Sequence, residues 1–98
     1  MKPSKPLKIF VLEDDLWYGT MLEHYLSLNP DYQVQRFETE KDFYQKLHEN
    51  PDVVTLDYSL TEGDGGKVLK RIKEYNPEIE VIMISGQEDI STAVELLK

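Results

Sequence analysis

The chain has 98 residues, 40% hydrophobic and 31% charged, and its 11 Lys+Arg against 19 Asp+Glu leave a net charge of -8. A chain of this length carries one hydrophobic core, so residues 1–98 are read as a single domain, and so acidic a surface repels nucleic acid and anionic membranes. The lack of cysteine excludes a disulfide framework, a thiolate metal site and a cysteine nucleophile, and fits a reducing compartment. The longest apolar runs, about five residues, fall far short of the roughly 20 that a membrane helix needs. The basic Met1–Pro6 segment leads into no apolar stretch of signal-peptide length, so a soluble cytoplasmic protein is expected.

In chain order, Lys8 to Leu12 predicts a first strand, and helical spacing follows in Tyr18, Leu22, Tyr25 and Leu26, with Asp15 as the helix cap. Tyr32 to Phe37 predicts a second strand that alternates, with Tyr32, Val34 and Arg36 on one face and Gln33, Gln35 and Phe37 on the other, the pattern of a sheet edge. Phe43 and Leu47 share a face of a second helix, for which Thr39 and Asp42 form a capping pair. Val53 to Asp57 is a third strand, Val68, Leu69, Ile72 and Tyr75 mark a third helix, and Val81 to Ile84 a fourth strand. Ile90, Val94 and Leu97 mark a fourth helix, capped by Asp89. One helix stop recurs as Asn29-Pro30-Asp31, Asn50-Pro51-Asp52 and Asn76-Pro77-Glu78, because Pro cannot continue a helix and restricts the residue before it.

Strand and helix therefore alternate. The first, third and fourth strands are near-continuous apolar runs, as strands covered on both faces must be. The expected fold is α/β, a flavodoxin-like doubly wound parallel sheet of order 2-1-3-4. A fifth strand-helix unit would need about 20 residues more than the chain has, so that unit is expected to be missing. Val81 to Ile84 would then be an open edge inviting self-association.

The chemistry gathers at strand ends. Ile9-Phe10-Val11-Leu12 runs into Glu13-Asp14-Asp15, and Val53-Val54-Thr55-Leu56 stops at Asp57. Neighbouring parallel strands would place these acids on one carboxyl edge, where open α/β sheets bind ligands. Packed carboxylates repel unless a cation joins them, which points to a hard divalent metal held by Asp14 with help from Glu13. An ionised Asp57 can attack phosphorus directly without a general base, provided charge is neutralised. Ser85, closing the fourth strand, would bring a hydroxyl to the same edge.

These residues resemble the receiver domain of response regulators, the phosphoacceptor module of two-component signalling. The resemblance covers nearly the whole chain: Ile9 to Asp15 looks like the family's first strand with its acidic pair, Val53 to Asp57 like the strand ending in the phosphorylated aspartate, Asp64-Gly65 like the loop signature, and Val81 to Gly86 like the strand ending in the switch hydroxyl. It implies that Asp57 accepts a phosphoryl group from a sensor histidine kinase or phosphotransfer protein. It also implies that Mg²⁺ is held by Glu13, Asp14, Asp57 and the Ser59 backbone carbonyl, and that Ser85 senses the phosphoryl group. The implied protein is a switch and not an enzyme, and this domain makes no contact of its own with nucleic acid or membrane. Thr61 replaces a usual Pro, and the family's fifth-strand Lys and switch aromatic have no counterpart in this chain.

Two other function classes compete. An Mg²⁺-dependent phosphohydrolase with an Asp nucleophile would carry a second Asp two residues on, where Ser59 stands, and a receiver-like interaction module would leave its acids unused. His24 and His48 lack partners at metal-ligand spacing, and Gly65-Gly66-Lys67-Val68 is not a phosphate-binding P-loop. Trp17, Tyr18 and Tyr25 are read as core or helix-face packing, and Lys67, Lys70, Arg71 and Lys73 as a solvated face.

Overall fold

The computed structural model describes residues 6–57 and 65–84. Its elements are β1 (Leu7–Leu12), α1 (Leu16–Ser27), β2 (Tyr32–Phe37), α2 (Glu40–Lys46) with a 3₁₀ turn over Leu47–Glu49, β3 (Val53–Asp57), α3 (Gly65–Tyr75) and β4 (Glu80–Ile84). The four described strands form one parallel sheet of order β2-β1-β3-β4, the arrangement expected from the patterning. The expected fourth helix with its Asp89 cap, together with Ser59 and Ser85, lies outside the described residues.

The helices start where local chemistry supplies a first acceptor. Asp15 Oδ1 accepts the Tyr18 amide at 3.0 Å and Thr39 Oγ1 accepts the Asp42 amide at 3.2 Å, each satisfying a donor that the first turn leaves unpaired. The Asn-Pro-acid stops work in two ways. Asn29 and Asn76 fold their side-chain oxygens onto the amides of Asp31 and Glu78, at 2.8 and 3.0 Å, as Asx turns. Asn50 instead takes a left-handed backbone, φ 54°, and its side chain accepts from Asn76 Nδ2 at 3.0 Å. Two of the three stops are thereby tied together beneath the sheet's amino edge.

Alternation decides which layer each strand residue joins. Ile9 and Val11 of β1, Val53 of β3 and Ile84 of β4 pack with Tyr18, Leu22 and Leu26 of α1. Phe10, Leu12, Phe37, Val54 and Leu56 point the other way, against Phe43, Leu47, Val68 and Ile72 from α2, the 3₁₀ turn and α3. Phe10, Phe37 and Phe43 form an edge-to-face trio there, with centroids 4.8 to 6.1 Å apart. β1 and β3, each between two strands, form the buried centre of the sheet, and Ile9, Phe10 and Val11 have no solvent contact. β2 keeps Gln33 and Gln35 in solvent, as an edge strand should.

Some expectations need correction. Tyr18 is core, but Tyr25 is 49% and Trp17 77% exposed, so neither belongs to the α1 packing face. The buried row of α1 is Tyr18, Gly19, Leu22 and Leu26. Its centre is rolled toward Gly19, which leaves Tyr25 on the flank beside His24, rings 5.9 Å apart. On α3, Arg71 is not merely solvated: its guanidinium lies 3.8 Å from the centroid of the Tyr44 ring, a cation–π contact that ties α3 to α2.

Thr55 is buried on β3 between Val11 and Ile82, and its hydroxyl has no hydrogen-bond partner among the described residues. An unpaired buried hydroxyl costs more than the methyl that would replace it. Thr55→Val should therefore raise stability by about 1 kcal/mol, read as a higher urea midpoint at unchanged slope.

Candidate functional site

Register builds the acidic site. β1 and β3 pair Leu12 with Leu56, so the next residues, Glu13 and Asp57, lie side by side at the carboxyl edge of the sheet. Adjacent strands are about 4.8 Å apart, and Asp14 follows in the same turn. One oxygen from each of Glu13, Asp14 and Asp57 lies within 4.8 Å of the others, so the three acids that the sequence proposed do converge. β3 also pairs Asp57 with Ile84 of β4, which brings the last described residue of that strand to the same level.

The backbone around the acids is closely held. The Glu13 amide donates to the Phe37 carbonyl at 3.0 Å, extending the β1–β2 ladder by a residue. The Glu13 carbonyl accepts from Arg36 Nη2 at 3.2 Å, and Glu13 Oε2 accepts the Asp15 amide at 3.0 Å. Asp15, given a structural role by its position, caps α1. Neither histidine approaches this edge chemically: both are exposed, and His48 Nδ1 lies 2.9 Å from the Gln45 carbonyl.

Glu13 is the deepest of the three, 4% exposed, while Asp14 and Asp57 are half-buried. Burial pushes the Glu13 carboxyl up from its ordinary 4.5 to about 7; the Asp15 amide opposes this, and the charge of Asp57 with hydrogen bonding from Asp14 and Asp57 adds to it. Burial first, and then the neighbouring Asp57 charge, thus favour the protonated form of Glu13 when no cation is bound. Three hard oxygen donors in this state suit a small divalent cation, which would displace the proton and take over the neutralisation.

The residue that sequence reasoning missed is Arg36. The strand alternation puts it on the face of β2 that packs toward α1, but says nothing of its reach to the Glu13 carbonyl. The available signal was a cation interrupting an apolar strand face opposite a glycine in a helix.

Residues 9–98 match the response regulator receiver domain, and the chain belongs to that family. It is 34% identical over 96 residues to the transcriptional regulatory protein ZraR of Klebsiella oxytoca, covering 97% of this chain and 21% of that protein. It is 29% identical over 93 residues to the chemotaxis protein CheY of Listeria monocytogenes, covering 94% of this chain and 78% of that one. Among solved structures, the signal receiver domain of a DNA-binding response regulator from Colwellia psychrerythraea superposes with a TM-score of 0.73 at 30% identity, over 92% of this chain and 79% of that one. The chain thus spans about a fifth of the length of the ZraR relative. Among the described residues, no helix is long and apolar enough to cross a membrane.

The raised Glu13 value has a signed consequence. In metal-free protein, folding favours protonated Glu13, so its contribution to stability is complete below the unfolded value of 4.5 and is lost as pH rises through about 7. Urea unfolding in chelator should show stability falling across that window for the native sequence. Glu13→Gln, which cannot ionise, should flatten the slope.

Proposed function

We propose that this receiver domain is a phosphoacceptor switch in a two-component phosphorelay, taking a phosphoryl group onto Asp57 from a phosphohistidine on a sensor kinase or phosphotransfer protein. The observation that carries the reading is the convergence of Glu13, Asp14 and Asp57 within 4.8 Å at the carboxyl edge of a receiver fold. An Asp57 carboxylate oxygen would form the new bond to phosphorus while the bond from phosphorus to the imidazole nitrogen breaks, its electron pair returning to the ring. Glu13, Asp14 and Asp57 are the candidate side-chain ligands for Mg²⁺, whose chemistry when bound is to neutralise charge between an anionic nucleophile and an anionic phosphoryl group.

This chain's own residues prepare that step. β1 and β3 hold the acids in register, Asp15 fixes the start of α1, and the buried Glu13 supplies a carboxyl group that burial raises to about 7. The family resemblance adds the Ser59 carbonyl as a further metal ligand and Ser85 as the hydroxyl that follows the phosphoryl group; both belong to the proposal. A phosphorylated Asp57 would present new charge and acceptor oxygens at the edge, the kind of local change that biases a two-state loop. In this role the domain is substrate and switch, with at most self-phosphorylation and self-dephosphorylation of its own.

Incubation with a small-molecule phosphodonor and Mg²⁺, followed by intact mass, tests the reading. The expected result is a single added phosphoryl group that is lost in Asp57→Asn and in the presence of chelator. Repeated turnover of donor without labelling would replace the switch by a phosphohydrolase. No labelling and no turnover would leave an interaction module whose acids have no phosphoryl role.

A further inference from the structure

Arg36 occupies an uncommon position. It continues the Tyr32, Val34 face of β2, which packs toward α1, and its side chain is only 12% exposed. A charge placed there must find partners or carry a large desolvation cost. Its Nη2 donates to the Glu13 carbonyl at 3.2 Å and lies 3.6 Å from Glu38 Oε1, while its buried Nε has no partner among the described residues. Glu38 is 59% exposed, so that ion pair is screened and weak. The contact with the backbone is therefore the principal reason for the buried guanidinium.

The route of the side chain leaves a mark in the sequence. A Cβ built on Gly19 would collide with Arg36 Nε and stand 2.9 Å from its Cδ. Gly19 is inside α1, where glycine is the poorest helix former after proline. The pairing explains both anomalies: the helix gives up a side chain so that a guanidinium can cross beneath it.

The carbonyl that Arg36 holds belongs to the peptide joining Glu13 to Asp14. Because a peptide is planar, fixing its oxygen also fixes the direction of the Asp14 amide and so the exit of that residue from the sheet. The amide of Glu13 is already tied to Phe37, so both sides of Glu13 are anchored to β2. We propose that Arg36 is a positioning residue for the acidic site, orienting Glu13 and Asp14 through the Glu13 carbonyl, and that Gly19 is the opening that admits it. This rests on the proposed Mg²⁺ role of the three acids.

The test is a thermodynamic cycle of Arg36→Ala, Gly19→Ala and the double variant, with Mg²⁺ affinity measured by calorimetry and global stability by urea unfolding. Loss of a group that orients metal ligands typically weakens metal binding by about 10-fold or more. Each single variant should therefore bind Mg²⁺ about 10-fold more weakly, and the double variant no more weakly than Arg36→Ala, because the added methyl then has nothing to displace. Hydrogen exchange in chelator gives a metal-free readout: the Asp15 amide, which bonds Glu13 Oε2, should exchange faster in Arg36→Ala relative to amides of the β1–β3 ladder. Wild-type Mg²⁺ affinity in a folded Arg36→Ala protein, or additive losses in the double variant, would overturn the positioning role while leaving the metal site intact. If the native protein binds no Mg²⁺, the metal-site reading and this inference fall together. If Arg36→Ala does not fold, Gly19→Ala decides alone, since native affinity there would show that the crossing is unnecessary.

Discussion

Everything at the carboxyl edge follows from one electrostatic constraint: a parallel register that ends two buried strands at the same height delivers their terminal carboxylates into each other's fields. The pairing of Leu12 with Leu56 makes Glu13 and Asp57 neighbours, and the turn after β1 adds Asp14. Like charges this close disfavour joint ionisation, and burial raises the penalty because the interior screens them poorly. Burial, with the charge of Asp57 adding to it, raises the Glu13 carboxyl from 4.5 to about 7. On the proposed reading, a divalent cation would satisfy all the acids at once, filling a deficit of positive charge that the fold sets at a fixed place.

Such a site needs a rigid frame, or the carboxylates would swing apart. β1 provides it: Ile9, Phe10 and Val11 are fully buried between α1 on one face and the Phe10, Phe37, Phe43 cluster on the other. A residue at the end of such a strand inherits its fixed direction, which a loop residue would not have. The bonds around Glu13, to Phe37, Arg36 and Asp15, then extend this order past the last sheet residue. Packing in the middle of the sheet is in this way converted into geometry at its edge.

Much of this was legible in the residues. Near-continuous apolar runs named β1, β3 and β4 as strands, the alternation of Tyr32 to Phe37 named β2 as an edge, and the Asn-Pro-acid stops separated the units. Caps at Asp15 and Thr39 could be read because each depends on a single local hydrogen bond. The acidic site was legible for a similar reason, since strand order and strand ends determine it without side-chain detail. The orientation of α1 was not. Tyr18 and Tyr25 are seven residues apart and so nearly aligned on a helix, yet only Tyr18 is buried, because the helix rolls toward Gly19 over Arg36. That roll depends on a contact between residues far apart in sequence, and periodicity carries no information about it. Arg71 over Tyr44 was missed on the same ground: a cation on an amphipathic helix looks solvated until its neighbour across the interface is known.

The departures from local preference are themselves instructive. A buried glutamate, a glycine within a helix and an arginine on an apolar strand face each run against what their element would choose alone. Scattered through a protein, such choices would simply lower its stability. Here they are joined: Gly19 clears the way for Arg36, Arg36 holds the carbonyl of Glu13, and Glu13 stands with Asp14 and Asp57. Sequences that fold well agree with their structures locally, and exceptions collect where function requires them. On the proposed reading, this connected chain of exceptions, running from helix α1 through strand β2 to the acidic edge, would extend the functional region beyond the carboxylates to Arg36 and Gly19.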